Sequence, residues 1–310
     1  MGEEFRHIPV LPREVLENLK PERGGRYIDC TLGGGGHSRL ILESSTEVEL
    51  LGLDQDEQAL RAASENLSEF GERFTSRKMN FGEIRELLET EWDEVDGILM
   101  DIGVSSHQID TADRGFSYVN DGPLDMRMDR SQKTTAADIL NEMDERDLAR
   151  IFREYGEERY AKKIARAVVR ERENEPWQRT GKFADLIQKI LGRGKAGSAP
   201  APARCFQALR IAVNRELEVL EQALDAAYEL LKPGGRLVVI SFHSLEDRMV
   251  KNFFREKSLE CECPPQLPVC VCNRRALMKV ITKKAVKASE DEIKSNRRAA
   301  CSRLRAAEKI

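Results

Sequence analysis

The chain has 310 residues, of which 40% are hydrophobic and 34% are charged, and its formal net charge is -4. This composition predicts a packed core beneath a highly charged surface, and the length allows one or two domains. No apolar run approaches the roughly 20 residues that cross a bilayer, and the first residues lack the apolar stretch of a secretion signal. We therefore expect a cytoplasmic protein with no membrane partner.

Positive charge is concentrated in two parts of the sequence. Residues 150–215 contain 16 Lys and Arg against 7 Asp and Glu, and residues 274–310 contain 12 against 4. Two basic regions on an otherwise acidic chain favour a polyanionic partner. Solvated helical faces with intrahelical ion pairs would give the same counts, so charge alone leaves both interpretations open.

Short apolar runs alternate with helical patterns in the first third of the chain. Strands are predicted at residues 26–30, 48–53, 74–79 and 95–100. Helices are predicted between them, from about residue 37, at 56–70 and at 82–91. This alternation is typical of parallel strands joined by right-handed crossovers, so we expect an α/β fold with a doubly wound sheet.

The alternation stops near residue 111 and resumes only after a long helical stretch. Helices are predicted at 145–155, 160–172 and 182–191, followed by a linker rich in Pro and Gly at 192–202. A long helix at 206–231 then precedes a fifth strand at 236–242, and residues 279–286 and 301–307 are candidates for a closing pair of strands. The predicted domains are a sheet domain in two parts, 1–110 and 205–310, and an inserted all-helical domain, 111–204.

Four consecutive glycines, Gly33–Gly36, follow the first predicted strand. Glycines at this position permit positive φ and let a ligand approach the bare backbone. The dinucleotide pattern G-x-G-x-x-G fails, because Ser38 or Arg39 occupies its last position. The loop therefore suits a ligand without a pyrophosphate, such as S-adenosylmethionine, better than it suits NAD.

Polar side chains also follow the other predicted strands. Asp54 ends the second strand, where a carboxylate can accept both hydroxyls of a ribose, and Asp56 is expected to cap the next helix. Phe81 either packs on an adenine face or fills the core. Asp101 ends the fourth strand, and Gln108 follows it in a loop where ordinary hydrogen bonding is an equal alternative. Because ligands of open α/β sheets bind at the carboxyl ends of strands, we expect one crevice there.

Two further motifs leave their roles open. Residues 241–248 (SFHSLEDR) follow the fifth strand, and they either join the same crevice or start a helix with Ser244 as its N-cap. Residues 121–130 (DGPLDMRMDR) form either an ordered functional loop or a compact turn, and composition does not choose between them.

The sequence contains no common metal-binding pattern. The four histidines lack the H-E-x-x-H spacing of zinc enzymes. Cys261, Cys263, Cys270 and Cys272 form two C-x-C pairs, whereas zinc sites usually use C-x2-C or wider spacing. We therefore expect reduced thiols and no metal.

Strings spread from about His7 to Arg255 resemble one known family. The most specific are GPLDMRMD and SFHSLEDR, and DGILMDIGVSS, YGEERYAKKIARAVV and RCFQALRIAVNRELE add to them. Together they resemble the bacterial 16S ribosomal RNA (cytosine N4)-methyltransferases, the RsmH or MraW family. The tail beyond about Lys257 matches less closely.

The resemblance implies a class I (Rossmann-like) methyltransferase fold with an all-helical insertion, and S-adenosylmethionine as its cofactor. It also implies methylation of a decoding-centre cytidine in the 16S rRNA of the small ribosomal subunit. The cofactor-binding positions that it implies are Gly35, Gly36, His37, Asp54, Phe81, Asp101 and Gln108.

Methylation of an exocyclic amine requires the nitrogen to be held in line with the methyl group while developing charge is stabilised. We expect Asp101 to be the catalytic residue, together with the backbone of residues 103–106. Asp125 and His243 are further candidates for accepting the proton. The residues expected to bind RNA phosphates are Arg159, Lys162, Lys163 and Arg166.

Other functions remain open at this point. The broken glycine pattern argues against a nicotinamide dehydrogenase. A non-catalytic RNA-binding assembly protein would explain the basic regions but leave the polar crevice without purpose. A methyltransferase acting on DNA or protein is a further alternative, because the sequence identifies the cofactor better than the substrate.

Overall fold

The computed structural model describes residues 9–192, 201–261, 263 and 271–310. The chain divides into two compact units, which we call the sheet unit (residues 1–103 and 218–310) and the helical unit (residues 104–217). The helical unit is wider than the 111–204 expected from the sequence, because residue 204 lies inside a helix whose apolar side chains, among them Phe206 and Leu209, belong to the core of that unit. None of the described helices is long and apolar enough to span a membrane.

The sheet unit is built on seven strands within the described part of the chain, in the order β3-β2-β1-β4-β5-β7-β6. The strands are β1 (Gly25–Asp29), β2 (Val48–Asp54), β3 (Phe74–Lys78), β4 (Val95–Asp101), β5 (Leu231–Ser241), β6 (Met278–Val280) and β7 (Arg303–Lys309). Strands β1 to β5 pair in parallel, whereas β7 is antiparallel to both β5 and β6. The predicted closing pair of strands is therefore β6 and β7.

The helices alternate with the strands in the sheet unit, and they are the main elements in the described part of the helical unit. In chain order they are α1 (Pro12–Leu19), α2 (Gly36–Glu43), α3 (Glu57–Asn66), α4 (Ser106–Asp110), α5 (Ala136–Glu142), α6 (Glu145–Glu154), α7 (Ala161–Arg172), α8 (Thr180–Leu191), α9 (Ala203–Asn214), α10 (Glu216–Leu230), α11 (Ser244–Lys257) and α12 (Glu290–Ser295). Shorter 3-10 helices lie at Pro21–Arg23, Ser68–Arg73, Phe81–Glu89, Ala112–Arg114 and Arg297–Cys301.

The sheet carries an apolar layer on each face. Ile28 of β1 packs into one layer, and its neighbour Tyr27 packs into the other, because successive side chains of a strand point to opposite faces. Both faces of the central strands are covered, so β1, β2 and β4 each contain a mainly apolar run, whereas the edge strand β3 is largely exposed. This explains why the central strands were predictable from short apolar runs.

The single helix predicted at 206–231 is wrong. Two helices, α9 and α10, occupy this stretch, because Arg215 adopts a left-handed conformation with φ 51° between them. A bidentate ion pair accompanies the break: Arg210 Nε and Nη2 each lie 2.8 Å from a carboxylate oxygen of Glu216. Apolar periodicity continues across residue 215, so sequence pattern alone does not reveal the turn.

The motif at residues 121–130 is an ordered loop held by side chains from elsewhere in the helical unit. Asn214 Nδ2 donates to the carbonyl of Met126, and Asn214 Oδ1 accepts from the amide of Met128, both at 2.8 Å. Arg114 Nη2 donates to the carbonyl of Met128 at 2.9 Å. Both methionine side chains are buried. The loop conformation thus depends on Asn214, almost 90 residues away along the chain.

Substitution Asn214→Ala is expected to lower the free energy of unfolding by about 2–3 kcal/mol, because it leaves the buried amide of Met128 and the carbonyl of Met126 without their partner. Urea unfolding followed by circular dichroism measures the change. Asn120→Ala, at an exposed position, is the control and should change stability by less than about 0.5 kcal/mol. Equal effects of the two substitutions would contradict the role given to Asn214.

Candidate active site

The loop between β1 and α2 owes its shape to its glycines. Gly33 and Gly35 have positive φ, 50° and 81°. A Cβ on Gly35 would lie 2.9 Å from Leu67 Cδ1, closer than carbon atoms pack, so the loop passes over Leu67 only because residue 35 lacks a side chain. Gly35 is also the N-cap of α2 and provides no capping side chain. The first N–H groups of α2, from Gly36 onward, are therefore suited to an anionic group of a ligand.

The buried carboxylate of Asp29 connects this loop to the end of β4. Asp29 accepts hydrogen bonds from Ser38 Oγ at 2.7 Å and from the Thr31 amide at 3.1 Å. The Thr31 hydroxyl lies 3.4 Å from Asp29 Oδ1 and accepts from the Asp101 amide at 2.7 Å. Burial raises the pKa of Asp29, and the hydrogen bond from Ser38 opposes that rise.

Asp54 fixes the loop from the other side. Its carboxylate accepts from the Gly33 amide at 2.9 Å and from the Asp56 amide at 2.8 Å. Burial raises the pKa of Asp54 to about 6, although these two amides act in the opposite direction. Each carboxylate oxygen can accept more than one hydrogen bond, so Asp54 can also receive the hydroxyls of a ribose. Asp56 caps α3 through the Gln58 amide at 3.0 Å, which confirms its predicted capping role.

His37 and Asp101 form a buried polar pair beside the loop. His37 Nε2 lies 3.5 Å from Asp101 Oδ2, and the two side chains are 5% and 12% exposed. Neither ring nitrogen of His37 nor Asp101 Oδ1 has a hydrogen-bond partner among the residues that the structure describes. Buried polar atoms almost always have partners, so these atoms are suited to a ligand that supplies them.

The remaining predicted cofactor residues, Phe81 and Gln108, are placed differently. Phe81 starts a 3-10 helix after β3 and is partly buried against the sheet core, which favours core filling for much of its ring. Gln108 lies in the helical unit, where its side-chain oxygen accepts from the Ser105 amide at 3.1 Å. The predicted loop position of Gln108 is wrong, because Gln108 lies in α4, and its contacts with Ser105 are hydrogen bonds at the start of that helix.

Thr31 and Ser38 are site residues that sequence analysis did not identify. Both carry hydroxyl groups and flank the glycine run, and that position is the only sequence signal that marks them. Asn80 was missed as well: its side chain donates to Gln55 Oε1 at 3.1 Å and joins the loops after β2 and β3. These residues support others through hydrogen bonds, and such support depends on tertiary contacts.

The motif at 241–248 starts α11, but its N-cap is His243 and not the expected Ser244. His243 Nδ1 accepts from the Glu246 amide at 3.4 Å, and Glu246 Oε2 accepts from the amides of Phe242 and His243. Because His243 Nε2 lies 3.0 Å from the other oxygen of Glu246, both ring nitrogens face that residue. This arrangement favours a capping role over proton transfer.

Asp125, the other candidate proton acceptor, forms a bidentate pair with Arg127 in the helical unit, with distances of 2.7 and 2.8 Å. Burial raises the pKa of Asp125, but the hydrogen bonds and charge of Arg127 outweigh it and hold that pKa below its usual value. A carboxylate held ionised by an arginine is a weak base, so this pairing argues against Asp125 as the proton acceptor.

The sheet order, with an antiparallel β7 beside β5, together with a glycine loop after β1 and carboxylates ending β2 and β4, defines a class I methyltransferase. The residues present fit S-adenosylmethionine. The uncapped start of α2 suits its carboxylate, Asp54 suits its ribose, and the loop lacks the phosphate-binding glycine pattern of dinucleotide enzymes.

The chain belongs to the MraW methylase family, whose family model matches residues 4–310. It is 52% identical over 309 residues to the ribosomal RNA small subunit methyltransferase H of Carboxydothermus hydrogenoformans and 53% identical over 312 residues to the protein of the same name from Heliobacterium modesticaldum, with 99% of each chain covered in both cases. A solved S-adenosylmethionine-dependent O-methyltransferase from Thermotoga maritima is similar at a TM-score of 0.42 and 11% identity, covering 98% of this chain and 68% of that one. The family membership makes this protein an S-adenosylmethionine-dependent methyltransferase.

The affinity for S-adenosylmethionine is expected to fall about tenfold between pH 7 and pH 5. The pKa of Asp54 in the cofactor-free protein is about 6, and the protonated carboxyl accepts ribose hydroxyls less well than the ionised one. Isothermal titration calorimetry across this range measures the affinity.

The matched control is Asp54→Asn, which should bind more weakly and show little of this pH dependence. An affinity of the unsubstituted protein that stays constant from pH 7 to pH 5 would contradict the role of Asp54.

The raised pKa of Asp54 also predicts how the stability of the cofactor-free protein depends on pH. Because the folded pKa exceeds the ordinary 3.8, the stabilisation by protonated Asp54 is lost as the pH rises from about 4 to about 6.

Proposed function

We propose that the protein transfers a methyl group from S-adenosylmethionine to the exocyclic N4 of a cytidine in the 16S rRNA of the small ribosomal subunit, and that it acts in the cytoplasm. The observation that carries the proposal is the carboxylate of Asp101 at the end of β4, whose Oδ1 has no hydrogen-bond partner among the described residues. The printed names of the relatives, ribosomal RNA small subunit methyltransferases, supply the substrate class.

The role proposed for Asp101 follows from the chemistry of the amine. The lone pair of a cytosine amino group is delocalised into the ring, so this nitrogen is a poor nucleophile and gains positive charge as it reacts. S-adenosylmethionine, when bound, supplies an electrophilic methyl group. A carboxylate beside the glycine loop can accept a hydrogen bond from the amine, orient its nitrogen and stabilise the developing charge. His37, 3.5 Å from Asp101, limits how that carboxylate can turn.

Substitution Asp101→Ala is expected to lower kcat at saturating S-adenosylmethionine by about 100-fold or more, because an oriented charge beside the reacting nitrogen is lost. Tritium transfer from labelled cofactor measures the rate. Asp101→Asn keeps the shape of the side chain and one oxygen acceptor but removes the charge. Its rate should therefore lie between the rates of the unsubstituted protein and of Asp101→Ala. Full activity of the Asp101→Ala protein would remove this assignment.

The substrate itself is tested by supplying labelled cofactor with small-subunit particles or with free 16S rRNA. The proposal expects the label in N4-methylcytidine after digestion to nucleosides. A cytosine must leave its stack to reach an active site, so substrate forms that present it unpaired should react faster. Label in a different nucleoside position, or only in DNA or protein, would favour the alternatives and overturn the proposal.

The helical unit supplies the surface proposed to bind RNA. Lys162, Lys163 and Arg166 are exposed on α7, and Arg159 and Tyr160 are exposed just before it. Arg166 contacts Glu145 at 3.5 Å. In the part of the chain that the structure describes, Arg159, Lys162 and Lys163 form no ion pair. Intrahelical pairing therefore does not apply to these three charges, which are solvated and available to phosphates.

The double substitution Lys162→Glu/Lys163→Glu is expected to weaken RNA binding and to reduce the slope of log affinity against log salt by about 1–2, because about two phosphate contacts are lost. Filter binding at several salt concentrations measures both. Cofactor affinity should stay unchanged.

The matched control is Lys251→Glu/Arg255→Glu, two exposed cations on α11 of the sheet unit that lie outside both basic regions and change net charge equally. An equal loss of binding in this control would mean that total charge, and not the surface on α7, determines the affinity.

A further inference from the structure

Three thiols in the sheet unit lie together and take no part in the site described above. Cys261 and Cys263 follow α11, and Cys272 precedes β6. The Sγ atoms of these three cysteines lie within 4.8 Å of one another. The sequence spacing of the cysteines favours reduced thiols without a metal. That spacing does not reveal the contact between Cys261 and Cys272, which are 11 residues apart.

The distance between two of these sulfur atoms distinguishes the possible bonds. Cys272 Sγ lies 3.8 Å from Cys261 Sγ. A disulfide requires about 2.05 Å. In a tetrahedron of sulfur atoms at about 2.3 Å from a central zinc, neighbouring sulfurs are about 3.8 Å apart. The two residues are not joined by a disulfide in this structure, and their separation, which a thiol–thiol hydrogen bond also gives, fits an edge of a zinc thiolate tetrahedron.

Two backbone amides also donate to sulfur atoms of the cluster. The Cys263 amide donates to Cys261 Sγ at 3.4 Å, and the Val271 amide donates to Cys263 Sγ at 3.4 Å. Amide donors to sulfur stabilise thiolates and are a regular part of metal sites with cysteine ligands. Several thiolates this close together would repel one another unless a cation lay between them.

We propose that Cys261, Cys263 and Cys272 bind one zinc ion, in a structural site that links the residues after α11 to those before β6. Both ends of this segment are already joined by backbone contacts: the Leu277 amide donates to the Lys257 carbonyl, and Arg274 Nη2 donates to the Glu256 carbonyl, each at 2.8 Å. A metal that links Cys261 to Cys272 stabilises the fold by reducing the freedom of the unfolded chain. Structural zinc usually has four ligands, and the three thiolates leave one position for a further donor.

The test measures metal content of the full-length protein, purified under reducing conditions and dialysed against a slight excess of zinc sulfate. Inductively coupled plasma mass spectrometry should find one zinc per chain. The triple substitution Cys261→Ser/Cys263→Ser/Cys272→Ser should lose it. The matched control Cys301→Ser, at an exposed cysteine outside the cluster, should retain one zinc.

Two further measurements distinguish a specific zinc site from non-specific zinc binding. Cobalt(II) used as a probe should give the intense visible bands of a tetrahedral thiolate complex in the unsubstituted protein and in Cys301→Ser, but not in the triple variant. Zinc should also slow tryptic cleavage after Arg274 and Arg275. Circular dichroism verifies that the triple variant is folded, and methyl transfer by it shows that the site of methylation is intact.

The proposal is overturned by zinc well below one per chain in the reduced unsubstituted protein, or by equal zinc in the triple variant. Iron with visible absorption in place of zinc would overturn the choice of metal. None of these results depends on RNA methylation, so a failure of this proposal is distinguishable from a failure of the proposed function.

Discussion

The hydrogen bonds of one buried carboxylate, Asp29, hold the candidate active site in place. It accepts from Ser38 at the start of α2 and from Thr31 in the loop, and the Thr31 hydroxyl in turn accepts from the Asp101 amide. Burial alone would favour the protonated form of Asp29, as its raised pKa indicates, so the donors around it offset part of the cost of ionising it there. The glycine loop, the first turn of α2 and the end of β4 are thereby connected through the side chains of Asp29 and Thr31.

Parallel strand register places the other two carboxylates around this centre. Asp29 of β1 pairs with Gly52 of β2 on one side and with Leu99 of β4 on the other. Asp54 and Asp101 each lie two residues beyond those partners, so both carboxylates extend past the end of β1 and flank the glycine loop. Asp54 is proposed to hold the cofactor's ribose and Asp101 to face the reacting nitrogen of the substrate, which would assign cofactor and substrate contacts to two different strands.

The elements that the sequence predicted well are those with a local cause. The central parallel strands contain mainly apolar runs, and Gly33 and Asp54 follow or end strands at the edge where an open sheet places ligands. What the sequence did not reveal depends on contacts between distant residues. The break at Arg215, the bridge from Asn214 to the loop at 121–130, and the support given by Thr31 and Ser38 each require knowing which residues meet. The capping role of His243 was missed because histidine is an uncommon N-cap residue.

The helical unit is proposed to bind RNA phosphates and the sheet unit to bind the reacting base, so different residues would recognise the RNA backbone and the base. The phosphate contacts proposed for the exposed lysines of α7 would position an RNA but would not distinguish bases. Discrimination must then occur where the base reacts. An ionised Asp101 only accepts hydrogen bonds, so it can receive the N4 amino group of cytosine but would repel the O4 carbonyl of uracil in the same place. The residue proposed to orient the nucleophile would thus also exclude uridine, because both effects depend on the same carboxylate oxygen.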